Sequence, residues 1–197
     1  MRCFRNLLVL VTALAACVAA LAQTPTYNLG RTPSAEEIQA WDLLVGWEGK
    51  ELPPGSGTAQ EGAKLYAQKC AACHGPTGAE GSPPPPGQMR PSPRLVGGRG
   101  TLNTPKPVKT VGSFWPFAPV VWDYINRAMP RGQEGSLRPN EVYALTAFLL
   151  YRNGIIQESE VLDAKSLPKI QMPNRNGFVP ARPEDILQSR CRGHRCP

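Results

Sequence analysis

The pentapeptide Cys70-Ala71-Ala72-Cys73-His74 constrains this chain more than any other feature. Two thiols three residues apart, followed at once by an imidazole, form the C-x-x-C-H haem attachment pattern. The spacing has a physical cause. The thiols can add to the two vinyl groups on one edge of a porphyrin, and the next residue then turns under the ring plane, where its imidazole reaches the iron. Ala71 and Ala72 are small enough to let the backbone lie close to the haem edge. A dithiol oxidoreductase also uses C-x-x-C, but in a βαβ context that the surrounding sequence lacks. A structural zinc site needs four ligands, and the one other histidine, His194, lies far away beside its own cysteine pair, Cys191 and Cys196. A chain with this motif must enclose a large apolar cofactor. That suits a small helical domain with only 7% aromatic residues, because the cofactor supplies core that the chain does not.

Low-spin electron-transfer haem takes a second axial ligand, and a methionine thioether opposite histidine raises the potential. The candidates are Met89, Met129 and Met172, each of which would otherwise be a flexible core filler. Met89 sits in a proline-rich loop and Met172 in an irregular tail. Met129 ends a short helix and precedes Pro130, which would hold the chain extended and let the sulfur point inward. Met129 is the expected ligand, with Met172 next.

Residues 1–22 read as a signal peptide: Arg2 and Arg5, an apolar run from Leu7 to Ala20, and a small-residue cleavage site at Ala20-Leu21-Ala22. The run is too short for a stop-transfer helix, so export to the periplasm is expected. Leu14-Ala15-Ala16-Cys17 has the form of a lipoprotein box, and only lipidation at Cys17 would bring the chain to a membrane. The remaining cysteines come in two close pairs, as expected in an oxidising compartment. Cys191 and Cys196 would close a small disulfide loop in the tail, and a metal site with His194 would have too few ligands. Without residues 1–22, which carry Arg2 and Arg5 and no acid, the formal charge falls from +7 to +5, which suits docking on an acidic partner. Nucleic acid is excluded as a partner, because the basic residues are scattered and have no aromatic platform.

The remainder divides into an N-terminal extension (23–56), a cofactor domain (57–156) and a C-terminal extension (157–197). Ser34 with Glu37 and Thr58 with Glu61 are capping boxes, opening helices through Trp41 and into Cys70. Residues 46–57 read as a loop. From Gly75 to Ser113, about forty residues, no period is sustained, which is unusual in a compact domain unless something is wrapped. A short helix spans 119–128, with Val121, Tyr124, Ile125 and Ala128 on one face. A longer one runs from Pro139 to Arg152 with an apolar stripe, closed by Asn153-Gly154. The 22 prolines and 19 glycines point to long irregular connections, and the two extensions read as irregular arms. These arms are too apolar to be fully disordered and are expected to wrap a partner. Deleting 157–197 would then weaken a complex and leave the haem spectrum intact.

These residues resemble the class I cytochrome c family. The capped helix into Cys70-Ala71-Ala72-Cys73-His74-Gly75 is similar to its first haem helix. Ser92-Pro93-Arg94-Leu95-Val96-Gly97 is similar to its proline-leucine loop, and Ala128-Met129-Pro130 with the helix after it to its axial-methionine loop and last helix. The resemblance implies an all-α class I cytochrome c fold with irregular N- and C-terminal extensions. It also implies one covalent haem c on Cys70 and Cys73, iron ligation by His74 and Met129, and a hydrogen bond from the His74 Nδ1 proton to the Pro93 carbonyl. Arg138 stands where the family often has Ser or Thr, a weaker N-cap.

A narrower resemblance, over about residues 30–180, is to the cytochrome subunit of Sox-type sulfite dehydrogenases. It rests on Gly30-Arg31-Thr32-Pro33, Leu52-Pro53-Pro54-Gly55-Ser56-Gly57, Phe114-Trp115-Pro116-Phe117, Trp122-Asp123-Tyr124-Ile125 and Met172-Pro173-Asn174-Arg175. It implies a periplasmic electron carrier that takes electrons from a molybdenum-cofactor subunit oxidising sulfite or sulfane sulfur and passes them to a soluble cytochrome c. Such a chain is a subunit of an enzyme and has no catalytic residues of its own. Two other readings stay open: an electron-transfer cytochrome for a different periplasmic dehydrogenase, and a haem enzyme with an open iron position. Trp115, Trp122 and Tyr124 read first as core residues. Arg94, Arg99 and Trp115 are also candidates to bond haem propionates. Trp41 and Trp47 would anchor the N-terminal extension to the domain or to a partner.

Overall fold

The computed structural model describes residues 29–83 and 92–180, with the single residue 6. Apart from residue 6, the segment read as a signal peptide lies outside the described residues, as do the Cys17 box, Met89 and the Cys191/His194/Cys196 cluster.

Local sequence signals set the helix starts. In the N-terminal unit (1–42), helix α1 (Ala35–Trp41) opens on Ser34, and both halves of the box with Glu37 are formed. Arg31 also binds Glu37, at 2.7 Å from Nη1. The Arg31 guanidinium and the Ser34 N–H hold that carboxyl down at about 2. None of the residues in α1 is buried.

The second unit begins at Leu43. Thr58 and Glu61 box the start of α2 (Ala59–Lys69), which runs on into the single turn α3 (Ala71–His74). Thr110 and Ser113 cap α4 (Val111–Phe114) with a third, shorter box. Helix α5 (Ala118–Ala128) starts with Pro119 in its first turn. Helix α6 (Pro139–Arg152) takes half a box: Arg138 offers no side-chain cap, and the Glu141 carboxylate accepts from the Arg138 N–H at 2.8 Å.

Every residue from Val142 to Leu150 is buried, so α6 is a central helix rather than the one-sided one its stripe predicts. The Thr146 hydroxyl meets its burial by donating to the Val142 carbonyl at 2.7 Å. Helix α2 crosses α6 at Gly62, where a Cβ would overlap the Ala144 carbonyl oxygen and meet Phe148 Cβ at 2.7 Å. Gly62→Ala should therefore destabilise the domain by about 1–3 kcal/mol of overpacking, less a gain in helix propensity of up to about 1 kcal/mol. This would be read as a lower urea midpoint at unchanged m-value. An unchanged or higher midpoint would mean the crossing is looser than described.

Both arms contribute to the second unit. Strand β1 (Ser56–Gly57) pairs antiparallel with β2 (Leu162–Asp163), Ser56 opposite Asp163 and Gly57 opposite Leu162. The loop read at 46–57 thus ends in a strand that nothing local announces. The Tyr143 hydroxyl donates to the Pro53 carbonyl at 2.9 Å, and burial, then Asp163, pushes that phenol up to about 12. Asp123, buried on α5, accepts from the Val45 N–H at 2.9 Å and pairs with Arg127. Downstream, Leu162, Leu167 and Met172 enter the core, and the Asn174 amide donates to the Phe114 carbonyl at 2.7 Å. Of the expected core aromatics, Trp122 is fully buried, Trp115 is half-buried, and Tyr124 is 44% exposed and edge-on to Trp115.

A candidate haem site

Helix α2 ends at Cys70, whose N–H still donates to the Tyr66 carbonyl while its φ of −123° breaks the helical path. The chain then re-enters a single turn, with the His74 N–H on the Cys70 carbonyl at 2.9 Å, and leaves it through Gly75 at a φ of +82°. The motif is held from outside as well. The Tyr66 hydroxyl donates to the Gly75 carbonyl at 3.0 Å, and the Ser82 hydroxyl donates to the Cys73 carbonyl. Burial pushes the Tyr66 phenol up, so it stays a donor.

His74 is buried, and its Nδ1 lies 2.8 Å from the Pro93 carbonyl. A carbonyl only accepts, so Nδ1 carries the proton. In the neutral ring Nε2 is then left with a free lone pair, the form a metal ligand needs. This is the hydrogen bond the family resemblance implies. Cys70 and Cys73 are half-buried and not joined in a disulfide. Among the described residues no cluster of three or more His, Cys, Asp or Glu could hold a metal ion.

Cys70, Cys73 and His74 line a cavity of about 490 Å³, within the roughly 300–1,000 Å³ usual for cofactor sites. Met129 lines the same cavity from a separate element. It caps α5 with its N–H on the Ile125 carbonyl and turns extended at φ −133°, ψ 148°, the conformation a following proline favours. Met172 is buried in the core and does not line the cavity. Leu145 and Leu149 of α6 and Val121 and Ile125 of α5 supply apolar wall. The residues present therefore fit a haem: two thiols, an oriented imidazole and a thioether around an apolar slot.

The propionate candidates divide. Arg94 and Trp115 line the cavity. Arg99 does not; its Nη1 donates to the Gly154 carbonyl at 3.3 Å, at the end of α6, where a cation meets the negative end of the helix dipole. Sequence reasoning missed Lys69, Lys109 and Arg131, which with Arg94 are the charged side chains on the wall; no acid is among the described lining residues. Lys109 also sits 4.8 Å over the Phe114 ring. Nothing in their spacing marks these four as neighbours, because they come from four segments. Trp47 packs 5.3 Å from Phe117, while Trp41 is 87% exposed.

The family model that matches, over residues 57–149, is that of cytochrome c oxidase, cbb3-type, subunit III. Among solved structures, the chain is similar to a chain of the sulfane dehydrogenase SoxCD from Paracoccus pantotrophus. The identity is 38% over 87% of this chain and 81% of that one, with a TM-score of 0.70. Comparison with curated proteins gives no significant match. No described helix is long and apolar enough to cross a membrane. The domain match falls on the segment that carries the cavity, and the solved relative extends the likeness through both arms: the chain belongs to the class I cytochrome c family, whose cofactor is covalently bound haem c.

Proposed function

We propose that this chain is the exported monohaem subunit of a periplasmic molybdenum dehydrogenase that oxidises sulfite or sulfane sulfur, and that it hands the electrons to a soluble cytochrome c. The observation that carries the reading is the shared cavity of Cys70, Cys73, His74 and Met129, with His74 Nδ1 already bonded to Pro93. In this reading Cys70 and Cys73 would hold the haem through their sulfurs, and the Nε2 of His74 and the thioether of Met129 would hold its iron. Haem iron supplies a one-electron couple. With His74 and Met129 both holding the iron, no substrate would reach it, and the couple would be an outer-sphere one. Leu145, Leu149, Val121 and Ile125 exclude water from the slot. The thioether and the low dielectric disfavour the more highly charged oxidised form and raise the potential. The basic wall of Lys69, Lys109, Arg94 and Arg131 suits an acidic acceptor.

Support for the dehydrogenase comes from the 38% identity to a SoxCD chain over 87% of this one, arms included. Support for export comes from residues 1–22, with their basic start, apolar run and small-residue cleavage site. The test is to isolate the protein with its partners from native periplasm, add sulfite and watch the haem bands. Immediate reduction, with molybdenum in the eluate, is the expected result. Haem that stays oxidised with sulfite but reduces with ascorbate would leave an electron carrier and overturn the sulfite assignment.

A further inference from the structure

We infer that Asn153 is a positioning residue: it holds the Pro93 loop so that the Pro93 carbonyl stays on the His74 Nδ1 proton, and thereby sets the strength of His74 as a ligand. The inference rests on His74 binding the iron. Its basis is the route by which the loop is anchored. Ser92 is bridged to Ser82, and the Leu95 and Val96 N–H groups donate to the Gly78 carbonyl at 2.7 and 3.0 Å. These bonds tie the loop to the segment just after His74, itself a stretch without regular structure. On the core side, the Val111 N–H of α4 donates to the Leu95 carbonyl at 3.2 Å and the Thr110 hydroxyl to the Gly97 carbonyl at 2.6 Å, while the tie to α6 is made by one side chain. Asn153 donates from Nδ2 to the Leu95 carbonyl at 3.2 Å and to the Leu149 carbonyl at 2.8 Å, and its Oδ1 accepts from the Gly97 N–H at 3.0 Å. Leu149, whose carbonyl it holds, also lines the haem cavity.

Helix termination does not explain an asparagine here. Asn153 has φ −89° and ψ 3°, outside the left-handed region. The left-handed position after the helix is taken by Gly154 at φ +65°. The side chain is buried, and from the other side it is closed in by Gly112, where a Cβ would come within 2.6 Å of Asn153 Cβ. The amide therefore has one geometry, and its donors and acceptor are committed to the loop and to α6.

A hydrogen bond from Nδ1 raises the basicity of a metal-bound imidazole, and a more basic ligand favours the oxidised metal. Loosening the Pro93 carbonyl should therefore favour the reduced form. In holoprotein, Asn153→Leu, which keeps the volume and removes all three side-chain bonds, should shift the reduced-to-oxidised equilibrium three- to tenfold. Tenfold corresponds to about +59 mV for one electron. The His74 Nδ1 proton should exchange with deuterium several-fold faster by NMR. Asn153→Gln, which keeps the amide, should shift less, and it serves as the test if the leucine variant does not accumulate as holoprotein. Gly62→Ala is the control: it should lose stability with no shift in potential. Unchanged potential and exchange in the Asn153 variants, with stability alone reduced, would make Asn153 a structural bolt and overturn the inference. Retention of the native haem spectrum by His74→Ala is a separate outcome; it would overturn the ligand assignment underneath.

Discussion

Met129→Ala should abolish the weak far-red band that a thioether gives on oxidised haem iron, and should lower the reduction potential substantially. Axial-ligand identity spans roughly 0.8 V across haem proteins, and loss of a soft ligand that favours the reduced state moves a site down that range. The haem should remain covalently attached, because Cys70 and Cys73 are untouched. The measurement is a visible and near-infrared spectrum with a redox titration of wild type and variant. A variant that keeps the band would place the ligand at another methionine. Met172 is a poor substitute, since its sulfur is committed to the core away from the cavity. A wild type without the band would favour the open-iron haem enzyme over the electron carrier. Only a free axial position would let a substrate bind, so this one spectrum separates the two.

Deleting residues 157–197 should cost the fold most of its stability, contrary to the expectation that such a cut weakens only a complex. Leu162, Leu167 and Met172 are buried at 0%, 0% and 3% exposure. Burial of such side chains contributes about 1.5–3 kcal/mol each, so about 5–9 kcal/mol for the three as an upper estimate. A domain of this kind has about 5–15 kcal/mol in total. The cut also strips β2 from β1 and removes Asn174 from the Phe114 carbonyl beside Trp115 on the cavity wall. Circular dichroism melting and the haem spectrum of the truncated chain would check it. A holoprotein that melts as the full chain does would show that the tail only rests on the domain. A cut after residue 180 removes none of these groups, making it the right variant for asking whether residues 181–197 bind a partner.

What could be read from the sequence was short-range chemistry. Cys70, Cys73 and His74 fall within five residues, so their spacing alone brings them to one cavity. Ser34 with Glu37 and Thr58 with Glu61 lie three apart, and their capping bonds form as the spacing requires. The Pro93 carbonyl on His74, implied by family resemblance, is present at 2.8 Å.

Tertiary structure decided the contacts whose partners lie far along the chain. The choice between Met129 and Met172 turns on which one the packing of α5 and α6 leaves facing the cavity, and no local pattern distinguishes a ligand from a core filler. Arg99, equally plausible on paper as a haem partner, goes to the end of α6 instead. The pairing of Gly57 with Leu162 joins two irregular segments across most of the domain, and two-residue strands carry no periodicity to read. Asn153 looked like a helix stop because its neighbour is a glycine; its bonds to Leu95 and Gly97 exist only once the loop has folded back onto α6. Side-chain chemistry within a few residues is fixed by covalent spacing, whereas a contact across fifty or more depends on which surfaces the core brings together.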